Sequence, residues 1–485
     1  MNPAGQDDVL VQVLFQLRGE GCTLEMGNVT GWAVGQGCFS LEPNEMLVLL
    51  GLLFLPIPNI KPQARIMLPI VMVVLDGASG RVGITKSPLE SASTPNLDAL
   101  TGRGTMGRMY TVGEGIAPES DAGVFSLLGY DPLETHLSRG VVEALGAGVE
   151  FHDGDLALRA GFATVKADKL VDRRAGRNLS TPEAQELGAA LNRELHLKSS
   201  ARFVFNPTVG HRAVVVFRRD GIQFSSNISN FDPAYVRKGN ISLAQPGVKE
   251  YDIPRCEPLD DSDEAVVTAA LVNEFGFKAR KILDNHPVNE ERKRKGMVPA
   301  NFVLMRDAGT SKPQVQGFQA KWGLDSLMVA DLPAELGIGR LLGMDVRELE
   351  PGTRPDDYRK RAELVLDSVG KYGFVYVHLK GPDEPGHDGL FDLKKERVEE
   401  IDKGFFSVFS KFPRLKDLVV AVTCDHSTPV EDKGHSDDPV PVLVLDGKAK
   451  ADGSARFTEK DAARGSLGTL GRGRMLLELL RQAAS

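Results

Sequence analysis

Residues 374–389 read FVYVHLKGPDEPGHDG, and residues 418–443 read LVVAVTCDHSTPVEDKGHSDDPVPVL. In each stretch an apolar, β-rich run, 374–379 or 418–423, gives way at once to acids and imidazoles. Continuous apolar runs of this length suit strands buried on both faces of a parallel sheet, and such sheets bind ligands beyond their strands' carboxyl ends. The Pro and Gly after the first run predict a loop carrying Asp383 and His387. The second run ends directly at Cys424-Asp425-His426. A third run, IVMVVL (70–75), ends at Asp76-Gly77 in the same manner. Three strands therefore point carboxylates at one sheet edge, and the fold expected is α/β.

Carboxylate and imidazole together suit a borderline divalent cation such as Zn²⁺ or Mn²⁺ better than Ca²⁺, which prefers oxygen alone. Four of the nine histidines fall within 378–435. His378 lies inside its strand and reads as a satisfied core histidine. The others, with Asp76, Asp383 and Asp425, read as ligands of a two-metal centre.

Composition sets the class. The chain has 485 residues, 42% hydrophobic and 26% charged, which is ordinary for a soluble globular protein of two to four domains. A formal charge of −8 argues against a nucleic-acid or membrane-surface role resting on overall charge, so small-molecule partners are expected. Cysteines at 22, 38, 256 and 424 show no CxxC spacing, which indicates neither a disulfide framework nor a cysteine-rich zinc module and suits a cytoplasmic protein. The longest apolar run, MLVLLGLLFLPIP (46–58), contains two prolines and falls short of the roughly 20 residues of a membrane span. Residues 1–66 carry no motif with chemistry and read as an N-terminal extension.

From residue 86, KSPLESASTPNLDALTGRG (86–104) reads as turns and a short crossover helix. In APESDAGVFSLLGYDP (117–132) Ser120 stands as an N-cap before an apolar stretch. A Ser there usually satisfies backbone amides only, yet a helix amino terminus also favours an anion, and a hydroxyl beside a cation can attack phosphorus.

Asp76-Gly77, APESDAGVFSLLGYDP, Arg139-Gly140, DRRAGR (172–177), HPVNEERKRKG (286–296), PDEPGHDG (382–389) and CDHSTP (424–429) together resemble the archaeal-type 2,3-bisphosphoglycerate-independent phosphoglycerate mutases of the alkaline phosphatase superfamily. The match runs in order from about Met67 to the end, with Val141 standing where relatives often have Pro. The resemblance implies an alkaline-phosphatase-like, mostly parallel sheet flanked by helices, formed by 67–135 and 309–485, and interrupted by a smaller α/β substrate domain at 136–308. It makes Ser120 the phosphorylated nucleophile and a ligand of the metal held by Asp76, Asp425 and His426. Asp383, His387 and His435 hold the second. It implies two divalent ions (Mn²⁺, Zn²⁺, Mg²⁺ or Co²⁺) and no 2,3-bisphosphoglycerate. Phosphoglycerate's two anionic groups need basic partners, and the candidates are Arg139, Arg173, Arg174, Arg177, His211, Arg212, Arg306 and Lys321. RKRK (292–295) reads as the wet face of a helix. The expected activity is interconversion of 3- and 2-phosphoglycerate through a phosphoserine. A metal-dependent phosphatase or mutase of the same superfamily, acting on another phosphorylated metabolite, is the competing reading. GSLGTLGRG (465–473) lacks a Walker ending, and Ser120 lacks the Cys/Ser-x-Pro-x-Arg context of sulfatases.

Overall fold

The computed structural model describes residues 67–485 apart from 82, 84–85, 222, 239–240, 245–250 and 448–449; the extension expected at 1–66 lies outside the described residues. In chain order the strands are β1 (Ile70–Leu75), β2 (Thr105–Met109), β3 (Leu156–Lys166), β4 (Lys169–Asp172), β5 (Arg202–Pro207), β6 (Arg212–Arg218), β7 (Tyr235–Lys238), β8 (Ile241–Ala244), β9 (Tyr251–Asp252) and β10 (Phe302–Gly309). There follow β11 (Ser326–Ala330), β12 (Asp345–Glu348), β13 (Phe374–Leu379), β14 (Val419–Thr423), β15 (Val440–Asp446) and β16 (Gly468–Leu470).

The larger sheet has eight strands in the order β12-β11-β13-β1-β14-β15-β2-β16. Its first five strands are mutually parallel, and β15 enters antiparallel. Every residue of β1, β13 and β14 is buried, which is what their unbroken apolar runs require when helices cover both faces. Register pairs Val74 with both His378 and Thr423, so Asp76, Lys380 and Asp425 leave the sheet at one level.

The smaller sheet, β5-β6-β3-β4-β9 with β10 on β3, is antiparallel throughout. The helices Thr181–Glu194 and Asp263–Leu283 cover it, and its core includes Phe162, Phe205, Phe275 and Phe302. The Thr181–Glu194 helix opens with a capping box between Ser180 and Glu183.

Three local expectations change. Asp383–Asp388 is a short helix and not a loop, because Pro385 lies in its first turn, where a missing N–H costs nothing, and Gly389 (φ 74°) closes it. Asp383 and His387 thereby share one helix face. The Ser120–Leu127 helix has extended Glu119 as its cap, which makes Ser120 the first helical residue. Arg292 is fully buried, and not on a wet face. It donates to the carbonyls of Ala175 and Val298 and to Asn178 Oδ1, and so holds a turn in which Ala175, Gly176 and Arg177 all have positive φ.

Candidate metal and phosphoryl-transfer site

Two glycines let the strand ends and the Ser120–Leu127 helix close on one another. Gly77 has φ 56°, and a Cβ there would lie 2.6 Å from Asp383 Oδ1; a Cβ on Gly123 would lie 2.4 Å from the Asp425 carbonyl oxygen. The helix thus rests its first turns on the end of β14, and Ser120 Oγ comes to 3.1 Å from His426 Nε2.

Hydrogen bonds fix three imidazoles with Nε2 free to ligate. His435 donates Nδ1–H to the Pro118 carbonyl (2.7 Å), and His387 donates to that of Lys433 (3.2 Å). Thr428 donates its hydroxyl to Asp383 Oδ1 (2.8 Å), so its oxygen is left to accept from His426 Nδ1 (2.9 Å). Such outer bonds set the tautomer and aim of a metal-binding histidine. His387 Nε2 lies 3.1 Å from His435 Nε2 and 3.4 Å from Asp383 Oδ2, so these three expected ligands converge.

The other set centres on Asp76 and Asp425. Gly77 N–H and His426 N–H donate to Asp425 Oδ1, and Lys380 Nζ lies 3.1 Å from Asp76 Oδ2. The remaining oxygens, Asp76 Oδ1 and Asp425 Oδ2, are buried with no hydrogen-bond partner. They lie 3.5 and 3.3 Å from His426 Nε2. Two orphaned carboxylate oxygens facing a free imidazole nitrogen fit the donor set of a borderline divalent ion, where leaving them unpaired would be costly. His426 also faces the other group, since Asp383, His426 and His435 offer ligand atoms within 4.8 Å of one another. Burial opposes charge on His426, but Asp425, Asp76 and Asp383 overcome it and raise its pKa to about 9. Burial likewise opposes ionisation of Asp76, but Lys380, His378 and His426 hold its carboxyl well below the usual range.

His378 is core as expected but not satisfied: its Nε2 has no partner and points among Asp76, Glu335 and Asp425. Lys380, missed in the sequence reading, bonds Glu335 at 2.7 Å beside Asp76. Both could have been found by continuing the period-2 face of β13 from Tyr376.

A cavity of about 460 Å³ is lined by Asp76, Ser120, Arg139, Arg159, Arg212 and Lys380, among others. Arg139 spans Glu143 (3.1 Å) and Glu119 (3.2 Å), and its charge, with those of His435 and Arg159, lowers the pKa of the exposed Glu119 carboxyl to about 2. Arg159 bonds Glu143 at 2.8 Å; its signal was a cation interrupting an apolar strand. The other candidates are differently engaged. Arg173 and Arg306 both pair with Asp232, and Arg306 also stacks on Tyr235 at 4.0 Å. Arg177 reaches from the turn before Asn178 to Asp388 (2.9 Å). Burial, then the charges of Arg212, Arg174, Arg177 and Arg306, depress His211 to about 3. Arg174 is held below its ordinary value by burial and by Arg177. Lys321 donates to the Gly129 carbonyl (2.6 Å) past the far end of the Ser120 helix, away from the cavity lining.

Comparison with known proteins adds independent findings. A family model described as 2,3-bisphosphoglycerate-independent phosphoglycerate mutase matches residues 102–289. The curated protein of that name from Aeropyrum pernix is 42% identical over 414 residues, covering 83% of this chain and 96% of the relative. Its counterpart from Methanopyrus kandleri is 38% identical over 424 residues, covering 86% and 96%. Among solved structures, the cofactor-independent phosphoglycerate mutase from Thermoplasma acidophilum is 32% identical with a TM-score of 0.56, covering 86% of this chain and all of that one. A Pyrococcus horikoshii protein gives 28% and 0.67, covering 86% and 98%.

Proposed function

The chain belongs to the 2,3-bisphosphoglycerate-independent phosphoglycerate mutase family, and from that premise we propose that it interconverts 3- and 2-phosphoglycerate through a phosphoserine at Ser120. The observation that carries this reading is the Ser120 hydroxyl, held in the first turn of a helix at 3.1 Å from His426 Nε2 and opening on the cavity that Arg139, Arg159 and Arg212 also line. Phosphate-monoester cleavage is among the slowest uncatalysed reactions, and a serine hydroxyl is a weak nucleophile at neutral pH. Divalent ions held by Asp76, Asp425 and His426, and by Asp383, His387 and His435, would lower the pKa of that hydroxyl and neutralise the phosphoryl oxygens.

The chain's own groups do the rest. Amides at the start of the Ser120–Leu127 helix face the incoming phosphoryl oxygens. Arg139, Arg159 and Arg212 present guanidinium forks to phosphate and carboxylate. A bond from phosphorus to Ser120 Oγ forms as the bond to the substrate's 3-oxygen breaks; after glycerate turns, its 2-oxygen takes the phosphoryl group back. No net water or proton is consumed, so water must stay out while glycerate turns. Arg177, bonded to the cavity-lining Asp388, supports such closure. No helix among the described residues is long and apolar enough to cross a membrane, and we place the enzyme in the cytoplasm on its class of substrate.

Rapid quenching with radiolabelled phosphoglycerate, followed by peptide mapping, tests the reading. Label is expected on Ser120, and Ser120→Ala is expected to lose turnover while still binding phosphoglycerate. Label elsewhere, or a turning-over Ser120→Ala enzyme, rejects the phosphoserine.

A further inference from the structure

One imidazole at the strand ends is hydrogen-bonded the opposite way from its neighbours. His387 and His435 donate Nδ1–H to backbone carbonyls, and His426 to a threonine oxygen whose proton is already given away, so each keeps an Nε2 lone pair. His378 Nδ1 instead lies 2.8 Å from the hydroxyl of Tyr376, two residues back on the same face of β13. Tyr376 is fully buried, and this nitrogen is the one hydrogen-bond partner of its hydroxyl among the described residues. Burial also drives the phenol's pKa well above the ordinary value, so the hydroxyl keeps its proton. A buried phenol with one neighbour donates to it; were Nδ1 the donor, the phenolic proton would be stranded without a partner. Nδ1 is therefore an acceptor, and the proton of a neutral His378 ring sits on Nε2.

That N–H is aimed at carboxylates. Asp76 Oδ1 lies 3.6 Å from Nε2, and Asp425 Oδ2 and Glu335 Oε1 lie 3.8 Å from it, just beyond bonding distance. The first two are the very oxygens left orphaned. Each carboxylate oxygen has more than one lone pair, so one can serve an ion while another faces His378.

We infer that His378 is a positioning residue and not a metal ligand: its Nε2–H faces the Asp76 and Asp425 carboxylates and, by charge–dipole attraction, orients their other lone pairs toward the ion that His426 ligates. Tyr376 sets this role by fixing the tautomer. The inference rests on the reading of Asp76, Asp425 and His426 as ligands. On this inference the convergent Asp76–His378–Asp425 group takes no ion through His378, because a protonated nitrogen has no lone pair to give.

Full-length enzyme with nitrogen-labelled histidine, loaded with NMR-active cadmium, tests it directly. His426 Nε2 should show one-bond coupling to cadmium, while His378 shows a protonated Nε2, an unprotonated Nδ1 and no coupling. Cadmium coupling at His378 overturns the inference alone; absence of coupling at both rings overturns the ligand reading and the inference with it. Chelator-competition titration gives a second measure. His378→Gln, whose amide N–H reaches the Nε2 position, should keep ion affinity within about threefold, whereas His378→Leu should weaken it about 10–100-fold. A leucine variant with wild-type affinity, or glutamine and leucine variants weakened alike, refutes the positioning role.

Discussion

Replacing Gly123 with alanine separates two effects of one methyl group. Gly123 lies within the Ser120–Leu127 helix with no positive φ, so propensity alone makes alanine stabilising by about 1 kcal/mol. Its Cβ, however, would sit 2.4 Å from the Asp425 carbonyl oxygen, where ordinary contact begins at 3.4 Å. The obstacle is backbone at the end of a buried strand, so the helix must recede by about 1 Å, at an overpacking cost of roughly 1–3 kcal/mol. The two terms leave a net loss of about 0–2 kcal/mol, small enough for the protein to fold. Function is less forgiving. Ser120 lies three residues earlier on the same helix, and a 1 Å retreat stretches its 3.1 Å approach to His426 to about 4 Å, beyond hydrogen bonding. A displacement of that size at a reacting group costs on the order of 100-fold in rate. Urea unfolding, bound-metal analysis and phosphoglycerate interconversion followed by phosphorus NMR should therefore give near-normal stability, full metal content and activity down about 100-fold. Near-wild-type turnover would refute the reasoning, because it would mean that this contact does not set the position of Ser120.

Two further outcomes follow from the electrostatics. In chelator-treated protein the pKa of His426 is about 9 against an ordinary 6.5, so the stability its protonation supplies is complete below pH 6.5 and lost as pH rises to 9; this amounts to about 3 kcal/mol. Urea midpoints should fall across that window without metal and stay level with it, and equal chelated midpoints at its two ends would contradict the assignment. Arg212 lines the cavity, and loss of a charge-assisted bond to substrate from Arg212→Ala should raise KM by about 10–100-fold. Arg177 is half exposed and spends its charge on Asp388, so Arg177→Ala should change KM by no more than about fivefold; the reverse ranking of the two would reassign the substrate pocket.

The sheet centre was readable because its signal is local: IVMVVL, FVYVHL and VVAVT each declare a buried strand and name the acid at its end. The grouping of Asp383, His387 and His435 came from the family resemblance and not from a local signal, and the Asp383–Asp388 helix was hidden behind a proline that the first turn tolerates. What escaped depended on distant partners. Arg292 looks like any surface cation until the 175–178 turn folds over it. Whether Arg173 or Arg306 is free for an anion turns on Asp232, which takes both and is far from each of them in sequence. His378 sits inside an apolar run and Lys380 just after it, where the strand's end masked the face they share with Tyr376.

Gly77 donates its N–H to Asp425 across 348 residues of chain, and both neighbours of β1 come from the last third of the sequence. At about 5–20 residues per second, a ribosome spends roughly 20–70 s between making one end of that bond and the other. For most of that interval, until residues 374–379 are made, the six apolar residues Ile70–Leu75 have neither of their sheet partners, and an unpaired apolar strand is a template for aggregation. The smaller sheet is completed meanwhile, since all its strands lie between Leu156 and Gly309. The site at the end of β1 is thus among the last parts of the molecule to exist, and the yield of active enzyme depends on how well the nascent β1 is shielded while it waits.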